Sequence, residues 1–167
     1  MKQHVTPFGD GTVVLRLVEE RDLETILAWR NRDEARVWFK SSDKIAFEAH
    51  LSWYKRYLQK EDDFFFLIEA NGRPVGQCGI YDIDHYAGSA EIGRFLVAPD
   101  MGGRGYIKRS CAELVRFGID VLKLPNLFLE VMERNRKAIE LYTRCGFAEE
   151  SRSNGLIRMN FNQEPAR

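Results

Sequence analysis

Hydrophobic positions along the chain follow two spacings, and their order predicts the secondary structure. Apolar residues at every second position or in short β-branched runs predict strands, whereas apolar residues three and four positions apart predict helices. The predicted strands span residues 12–18, 64–70, 75–81, 90–97, 127–131, 147–152 and 156–161. The predicted helices span residues 22–30, 42 or 43 to 59, 107–122 and 135–145.

Two Asn-Gly pairs mark the turns of predicted hairpins. Asn71-Gly72 separates the second and third strands, and Asn154-Gly155 separates the last two. This dipeptide favours a two-residue turn in which both central residues have positive φ. Gly146 follows the last helix and suits the left-handed conformation that often ends a helix. The sequence therefore predicts the backbone closely at these three places.

The order of elements, β-α-α-β-β-β-α-β-α-β-β, predicts an α+β fold. A mixed, mostly antiparallel central sheet is expected, flanked by helices. One unit differs, because strand 90–97, helix 107–122 and strand 127–131 form a crossover that should be parallel and right-handed. The length predicts a single domain over residues 1–167, with an ordered core from about 5 to 162 and a frayed tail, NQEPAR.

Composition and charge exclude several classes of partner. The 25 basic residues balance the 25 acidic ones, so no broad electrostatic surface for nucleic acid or an anionic membrane is expected. No segment has the character of a signal peptide or a membrane span. Cys78, Cys111 and Cys145 are odd in number and widely spaced, which favours buried thiols in a reducing cytoplasm over disulfides. The histidines show no metal-ligand spacing, so no metal site is predicted.

A glycine-rich turn, VAPDMGGRGYIKR, connects a predicted strand to a predicted helix at residues 97–109. A helix N-terminus carries unsatisfied N–H groups and partial positive charge, a combination that binds phosphate. The turn matches neither the dinucleotide fingerprint nor the nucleoside triphosphate loop. A plain tight turn with solvated cations is the alternative. Its glycines and cations are Gly102, Gly103, Gly105, Arg104, Lys108 and Arg109.

A second segment, LEVMERNRKAIELYTRCGF at residues 129–147, places Asn135 and Tyr142 almost two turns apart on one helix face. Taken alone, the asparagine is an ordinary helix cap and the tyrosine an ordinary core residue with a solvated hydroxyl. Together with the glycine-rich turn, the two residues indicate a binding site.

These segments resemble the GNAT superfamily of N-acetyltransferases, which use acetyl-coenzyme A. The stretch EIGRFLVAPDMGGRGYIKRSCAEL resembles the family's cofactor-binding strand, loop and helix, and the segment at 129–147 resembles its closing motif. The resemblance extends from Leu15 to Phe161. The chain departs from the family's loop pattern at Gly102, where Arg or Gln is usual, and at Ile107, where a small residue is usual.

The resemblance implies a binding mode for acetyl-coenzyme A. Its pantetheine arm should pair with the strand backbone at 95–97, and its pyrophosphate should meet the glycine-rich loop. Its ribose phosphate should lie within reach of Lys108, Arg109 or Lys137. The implied cofactor-binding residues are Phe95, Leu96, Val97, Gly102, Gly103, Arg104, Gly105, Tyr106, Ile107, Lys108, Asn135 and Lys137.

The resemblance also implies catalytic roles. Tyr142 is expected to donate a proton to the departing thiolate, since a phenol is protonated at neutral pH. The base that deprotonates the amine is Glu130 or Glu91, which we rank equally, with His50 behind them. The alternative for each glutamate is a solvated or salt-bridged strand residue.

The acceptor wall is expected in the N-terminal third, which reads LAWRNRDEARVWFKSSDKIAFEAHLSWYKRYL. This stretch resembles acetyltransferases of nucleotide-linked amino sugars, such as those of pseudaminic acid biosynthesis. The implied acceptor is the 4-amino group of a UDP-linked 4-amino-4,6-dideoxy sugar. The implied substrate-binding residues are Arg30, Asn31, Trp38, Phe39, His50, Trp53 and Tyr81.

Two alternatives of other kinds stay open. Acetyltransferases of protein N-termini, including those of ribosomal proteins, share the Trp-Arg-Asn opening. A non-catalytic sensor of coenzyme A would bind the cofactor without transferring the acetyl group. A homodimer is also left open, because nothing in the sequence decides the oligomeric state.

Overall fold

Eight strands and five helices make up the computed structural model, which describes residues 2–162. The strands are β1 (Phe8–Gly9), β2 (Val14–Leu17), β3 (Phe64–Ala70), β4 (Arg73–Asp84), β5 (Ser89–Val97), β6 (Asn126–Met132), β7 (Phe147–Ser153) and β8 (Leu156–Phe161). The helices are α1 (Leu23–Arg30), α2 (Asp33–Arg36), α3 (Phe47–Gln59), α4 (Tyr106–Arg116) and α5 (Arg136–Arg144), with a π-helical turn (Phe117–Val121) after α4.

The strands form one sheet in the order β1-β2-β3-β4-β5-β6-β8-β7. Strands β5 and β6 are parallel, and the other neighbouring pairs are antiparallel. The predicted α+β class, with a mixed and mostly antiparallel sheet around one parallel β-α-β unit, is confirmed.

Strand β3 shows why the sheet is covered on both faces. Side chains alternate across a strand, so Phe64, Phe66 and Ile68 enter the core beneath α4 and α5. Phe65 and Leu67 enter a second core beneath α1 and α3. A strand buried on both faces has a continuous apolar sequence, which explains the run Phe-Phe-Phe-Leu-Ile.

The parallel pair of strands is short, and this determines where a site can form. Strands β5 and β6 pair only at Ser89–Glu91 with Asn126–Phe128. Beyond these residues β5 continues beside β4, while β6 continues beside β8. The two strands therefore diverge and leave a gap in the middle of the sheet.

A bulge in β5 lies beside this gap. The register between β4 and β5 shifts between Gln77 and Gly79, and Arg94 has a φ of 60°. The side-chain amide of Gln77 donates a hydrogen bond to the Arg94 carbonyl at 3.1 Å. A bulge bends its strand and redirects side chains, so this one shapes the wall of the gap.

The predicted turns are confirmed by positive φ angles. Asn71 and Gly72 have φ of 53° and 74°, and Asn154 and Gly155 have 52° and 78°. Gly146 ends α5 with a φ of 99°. The residues beyond 162, for which fraying was predicted, lie outside the described residues.

Several predicted bounds were wrong. Helix α3 begins at Phe47 and not at residue 42 or 43, because Ala46 has extended backbone with ψ of 149°. The strand predicted at 12–18 is shorter, and β1 and α2 were not predicted, since two and four residues carry no periodic pattern. Cys78 and Cys111 are buried as expected, whereas Cys145 is half-buried.

Candidate active site

The gap between β5 and β6 opens into a cavity of about 470 Å³. Its walls come from both diverging strands, from α5 and from the segment after α2. The side chains that bear on chemistry in this cavity are Arg30, Trp38, Phe39, Lys40, Tyr81, Asp82, Glu91, Arg94, Phe95, Glu130, Asn135 and Tyr142. The topology thus brings both candidate bases and the candidate acid to one site.

Glu91 is held by a hydrogen bond on the cavity wall. The hydroxyl of Tyr81 donates to Glu91 Oε2 at 2.8 Å. Burial raises the pKa of the Glu91 carboxyl, and the carboxylates of Glu130 and Asp82 raise it further, while the Tyr81 hydrogen bond acts in the opposite direction. A carboxyl with a raised pKa is better suited to accept a proton near neutral pH.

Tyr81 connects Glu91 to a buried ion pair. The Arg94 guanidinium lies 4.1 Å from the centre of the Tyr81 ring. It also makes two hydrogen bonds to the Asp63 carboxylate, at 2.6 and 3.0 Å. Because Asp63 is buried and paired on both oxygens, this arrangement fixes Arg94 and, through the ring contact, Tyr81.

Glu130 lies on β6, opposite Arg158 of β8 in the strand register. Its Oε2 is 2.9 Å from Lys40 Nζ. That hydrogen bond raises the pKa of Lys40, and the carboxylates of Glu91 and Asp82 contribute to the same shift. A primary ammonium therefore already lies against one of the two candidate bases.

Tyr142 projects from α5 into the cavity. Its ring centre lies 5.6 Å from that of Phe95 and 6.4 Å from that of Phe147. Burial raises the pKa of the Tyr142 hydroxyl, and the neighbouring thiols act in the same direction. The hydroxyl is therefore protonated at neutral pH and can donate a proton.

The predicted phosphate loop lies at the N-terminus of α4. Gly103 and Gly105 have φ of 76° and 78°, a conformation that glycine adopts without strain. A Cβ added at Gly102, Gly103 or Gly105 would meet no atom within 4 Å, so the loop backbone borders open space. Arg104 donates to the Asp100 carbonyl at 3.4 Å.

Of the remaining predicted cofactor residues, Phe95 and Asn135 line the first cavity. The Asn135 side chain caps α5 by accepting a hydrogen bond from the Ala138 amide at 3.3 Å. Lys108 and Lys137 are exposed, whereas Arg109 is paired with Asp10 at 2.8 Å. The carbonyl of Val97 accepts a hydrogen bond from Arg32 at 2.9 Å. Phe95, Leu96, Tyr106 and Ile107 are all partly buried.

A second cavity of about 290 Å³ adjoins the first, and Arg30, Phe39 and Arg94 line both. Aromatic and aliphatic side chains form most of its wall. Three of its lining residues carry a buried polar atom that has no partner in the described part of the chain: Arg30 Nη1, His50 Nε2 and Gln77 Oε1. Buried polar groups normally have hydrogen-bond partners, so these three mark a place where a ligand can supply them.

Two sequence predictions need correction. Asn31 lies outside both cavities, because its side chain donates to the Ile45 carbonyl and accepts from the Ile45 amide, each at 2.8 Å. His50 lies in the second cavity, stacked on Trp53 at 5.3 Å, and not beside Tyr142. Burial lowers the pKa of His50, but its position does not support a role as the base.

Lys40, Asp82 and Arg94 were not predicted as site residues. Lys40 follows the aromatic pair Trp38-Phe39, which was the one signal that could have marked it. Asp82 and Arg94 both have positive φ, at 51° and 60°, which no local pattern indicates. Their roles depend on partners in distant parts of the chain.

The chain matches the acetyltransferase (GNAT) domain family over residues 12–148. Spermidine N(1)-acetyltransferase of Escherichia coli strain K12 is 29% identical over 140 residues, which cover 83% of this chain and 74% of that protein. Acetyltransferase PseH of Campylobacter jejuni strain 81-176 is 28% identical over 130 residues, covering 78% of this chain and 79% of that protein.

Two solved structures show the same fold. Spermidine N-acetyltransferase of Vibrio cholerae in complex with CoA and spermine superposes with a TM-score of 0.83, at 24% identity, over 91% of this chain and 96% of that one. FdhC, described as a nucleotide-linked sugar GNAT, superposes with a TM-score of 0.80, at 22% identity, over 96% of this chain and 90% of that one.

The divergent strands, the open helix N-terminus and the family match lead to one conclusion: the chain belongs to the GNAT acetyltransferase family. It is an acetyl-CoA-dependent N-acetyltransferase, and the gap and the open loop fit this co-substrate. Within residues 2–162, no helix is long and apolar enough to cross a bilayer. The cytoplasmic location, the homodimer and the single domain stay predictions.

Proposed function

We propose that the protein acetylates the amino group of a nucleotide-linked sugar, namely the 4-amino group of a UDP-linked 4-amino-4,6-dideoxy sugar. The observation that supports this is the pair of adjoining cavities. One is lined by carboxylates and by Tyr142. The other is lined mostly by aromatic and aliphatic side chains and holds buried polar atoms that have no partner among the described residues. An amino sugar joined to a nucleotide has an amine for the first cavity and a base for the second.

The polar cavity suits the amine. Glu91, Glu130 and Asp82 line it, and an ammonium group is stabilised among carboxylates. Glu130 or Glu91 takes the proton from the ammonium, directly or through a water molecule. Tyr142 then supplies a proton to the sulfur of the leaving group. Acetyl-coenzyme A provides the acetyl group as a thioester.

The aromatic cavity suits the base of a nucleotide. Phe39, Trp53 and Phe65 give it an aromatic wall against which a planar base can pack, and the edge of uracil has both hydrogen-bond acceptors and a donor for His50 and Gln77. Arg30 lies between the cavities and has no carboxylate partner among the described residues, so it can bind the diphosphate.

The cofactor side follows from the family resemblance. The pantetheine arm pairs with β5 in the gap, most directly at Phe95 and Leu96, since Val97 already binds Arg32. The pyrophosphate binds the amides at the N-terminus of α4. The residues that we assign to acetyl-coenzyme A are Phe95, Leu96, Val97, Gly102, Gly103, Arg104, Gly105, Tyr106, Ile107, Lys108, Asn135 and Lys137.

A polyamine is the second candidate acceptor. The three carboxylates of the polar cavity and the 29% identity with a spermidine acetyltransferase support it. Against it, an extended polycation that reached the second cavity would meet Arg30 and Arg94. A peptide N-terminus is the third candidate, and the wide polar mouth would admit one. A sensor without catalysis would have no need of Tyr142 beside two glutamates.

The test compares acceptors with purified protein and acetyl-coenzyme A, measuring the release of free thiol. We expect turnover with a UDP-linked 4-amino-4,6-dideoxy sugar and at least about tenfold lower kcat/KM with spermidine or peptides. Arg30→Gln should raise the KM for the sugar nucleotide, whereas the control Arg56→Gln, exposed on α3 away from both cavities, should not. Preferred turnover of spermidine or of a peptide would refute the assignment.

A further inference from the structure

Lys40 brings a primary amine into the candidate active site. Among the described residues that line the first cavity, it is the one lysine. Its Nζ lies 2.9 Å from Glu130 Oε2, which is the contact expected between the base and an acceptor ammonium. The Lys40 side chain is 61% exposed, so it is not confined by packing.

The backbone on both sides of Lys40 is held against the site. The Arg30 guanidinium stacks 4.0 Å from the Phe39 ring centre and also donates to the Ser41 carbonyl. On the other side, Arg134 donates to the Val37 carbonyl at 3.0 Å. These contacts keep residue 40 at the mouth of the cavity, while its long side chain is free to reach inward.

We propose that Lys40 is itself an acceptor, so that the enzyme acetylates a lysine at the mouth of its own active site. Glu130 removes a proton from the Lys40 ammonium. The Nζ lone pair forms a bond to the acetyl carbon, the carbon–sulfur bond breaks, and Tyr142 gives its proton to the sulfur. The nitrogen loses its second proton to solvent as the amide forms, and Glu130 releases the first proton in the same way. The products are acetylated Lys40 and coenzyme A, and the phenolate regains a proton from solvent. The proposal rests on the catalytic roles given above but not on the identity of the acceptor.

The modification would change the site in two ways. Acetylation removes the positive charge of Lys40 and so breaks its ion pair with Glu130. It also leaves a longer, neutral side chain at the mouth of the cavity, where the acceptor enters. An acetylated enzyme should therefore have a higher KM for a sugar nucleotide, which makes Lys40 a means of regulation by acetyl-coenzyme A.

The experiment uses the full-length protein, acetyl-coenzyme A with an isotope-labelled acetyl group, and no acceptor. Peptide mass spectrometry follows the label on Lys40 and on Lys44, an exposed lysine outside both cavities that serves as the matched control. We expect Lys40 to be labelled at least about tenfold faster than Lys44, at a rate independent of protein concentration. Because the Glu130 contact raises the pKa of Lys40, the rate should rise with pH.

Variants separate catalysis from chemical labelling. Tyr142→Phe should slow labelling of Lys40 by about 100-fold and leave Lys44 unchanged. Equal labelling of Lys40 and Lys44, or equal labelling of Lys40 in Tyr142→Phe, would overturn the proposal. Thermal melting of each variant checks that it is folded.

A parallel assay keeps this proposal distinct from the proposed function. Turnover of the sugar nucleotide without labelling of Lys40 would overturn self-acetylation alone. Labelling of Lys40 without turnover of the sugar nucleotide would support self-acetylation and refute the proposed acceptor. Absence of both in folded protein would refute both proposals.

Discussion

The two sides of the site are built in different ways. The cofactor side consists of backbone: a gap between diverging strands and the open end of a helix. The acceptor side consists of side chains from α1, α3 and the segment between α2 and α3, which distant hydrogen bonds hold in place. Backbone features tolerate many sequences, so the chain can depart from the family pattern at Gly102 and Ile107. Side-chain walls change with single substitutions, so we expect substrate choice to reside there.

The largest effect is expected where the two sides meet. Tyr142→Phe should lower kcat by about 100-fold or more, because the lost hydroxyl acts in the transition state. The KM for acetyl-coenzyme A should change little, since the ring still packs on Phe95. Steady-state kinetics of thiol release measure both constants. An equal loss of binding and turnover would contradict the role of proton donor.

A smaller effect should follow from strain on the cofactor side. Gly105 has a φ of 78°, and a β-branched residue in this conformation costs about 1–2 kcal/mol. Gly105→Val should therefore raise the KM for acetyl-coenzyme A by about tenfold and leave the KM for the acceptor unchanged. Gly72→Val is the matched control, because its φ of 74° imposes the same strain and its Cβ meets open space in the turn between β3 and β4, outside the loop. Unchanged cofactor binding in Gly105→Val would move the phosphate site elsewhere.

Asn31 supports the acceptor wall without lining either cavity, so its substitution should affect the acceptor and not the cofactor. Asn31→Ala removes two hydrogen bonds to Ile45 and should lower the free energy of unfolding by about 1–2 kcal/mol. The KM for the acceptor should rise, while that for acetyl-coenzyme A stays constant. Denaturant titration and two-substrate kinetics test this. A rise in the cofactor KM as well would show that the two sides are not independent.

The smallest effect concerns the base. The hydrogen bond from Tyr81 lowers the pKa of Glu91 against the effect of burial, so Tyr81→Phe should raise it. If Glu91 is the base, the acidic limb of the kcat/KM profile moves to higher pH. If Glu130 is the base, that limb stays where it is. Glu91→Gln, measured in the same way, provides the control.

Much of the fold follows from local rules. The Asn-Gly turns, Gly146 and the all-apolar strand β3 each depend on neighbouring residues, and the structure agrees with them. The start of α3 could not be predicted, because the Asn31 side chain binds both backbone groups of Ile45 from 14 residues away, and Ala46 after it is extended. The site divides in the same way. Tyr142 was selected from the family resemblance and the glutamates from their positions on predicted strands, and their roles stay predictions.

Other site residues depend on contacts across the chain. Arg94 pairs with Asp63, 31 residues earlier, and only that pair explains why its guanidinium lies under Tyr81. Lys40 forms an ion pair with Glu130, which lies 90 positions later in the sequence. No spacing rule reaches over such distances, because the contact exists only after the sheet has formed.

The shortness of the parallel pairing between β5 and β6 has a mechanical consequence. Three residue pairs join the block made of β1 to β5 to the block made of β6, β8 and β7 within the sheet. A pantetheine arm bound in the gap would form hydrogen bonds with the strand backbone and so extend the short connection between β5 and β6. Binding of acetyl-coenzyme A should then raise the melting temperature of the protein and slow amide hydrogen exchange in β5 and β6 where they border the gap. The enzyme should therefore be more rigid when the co-substrate is bound.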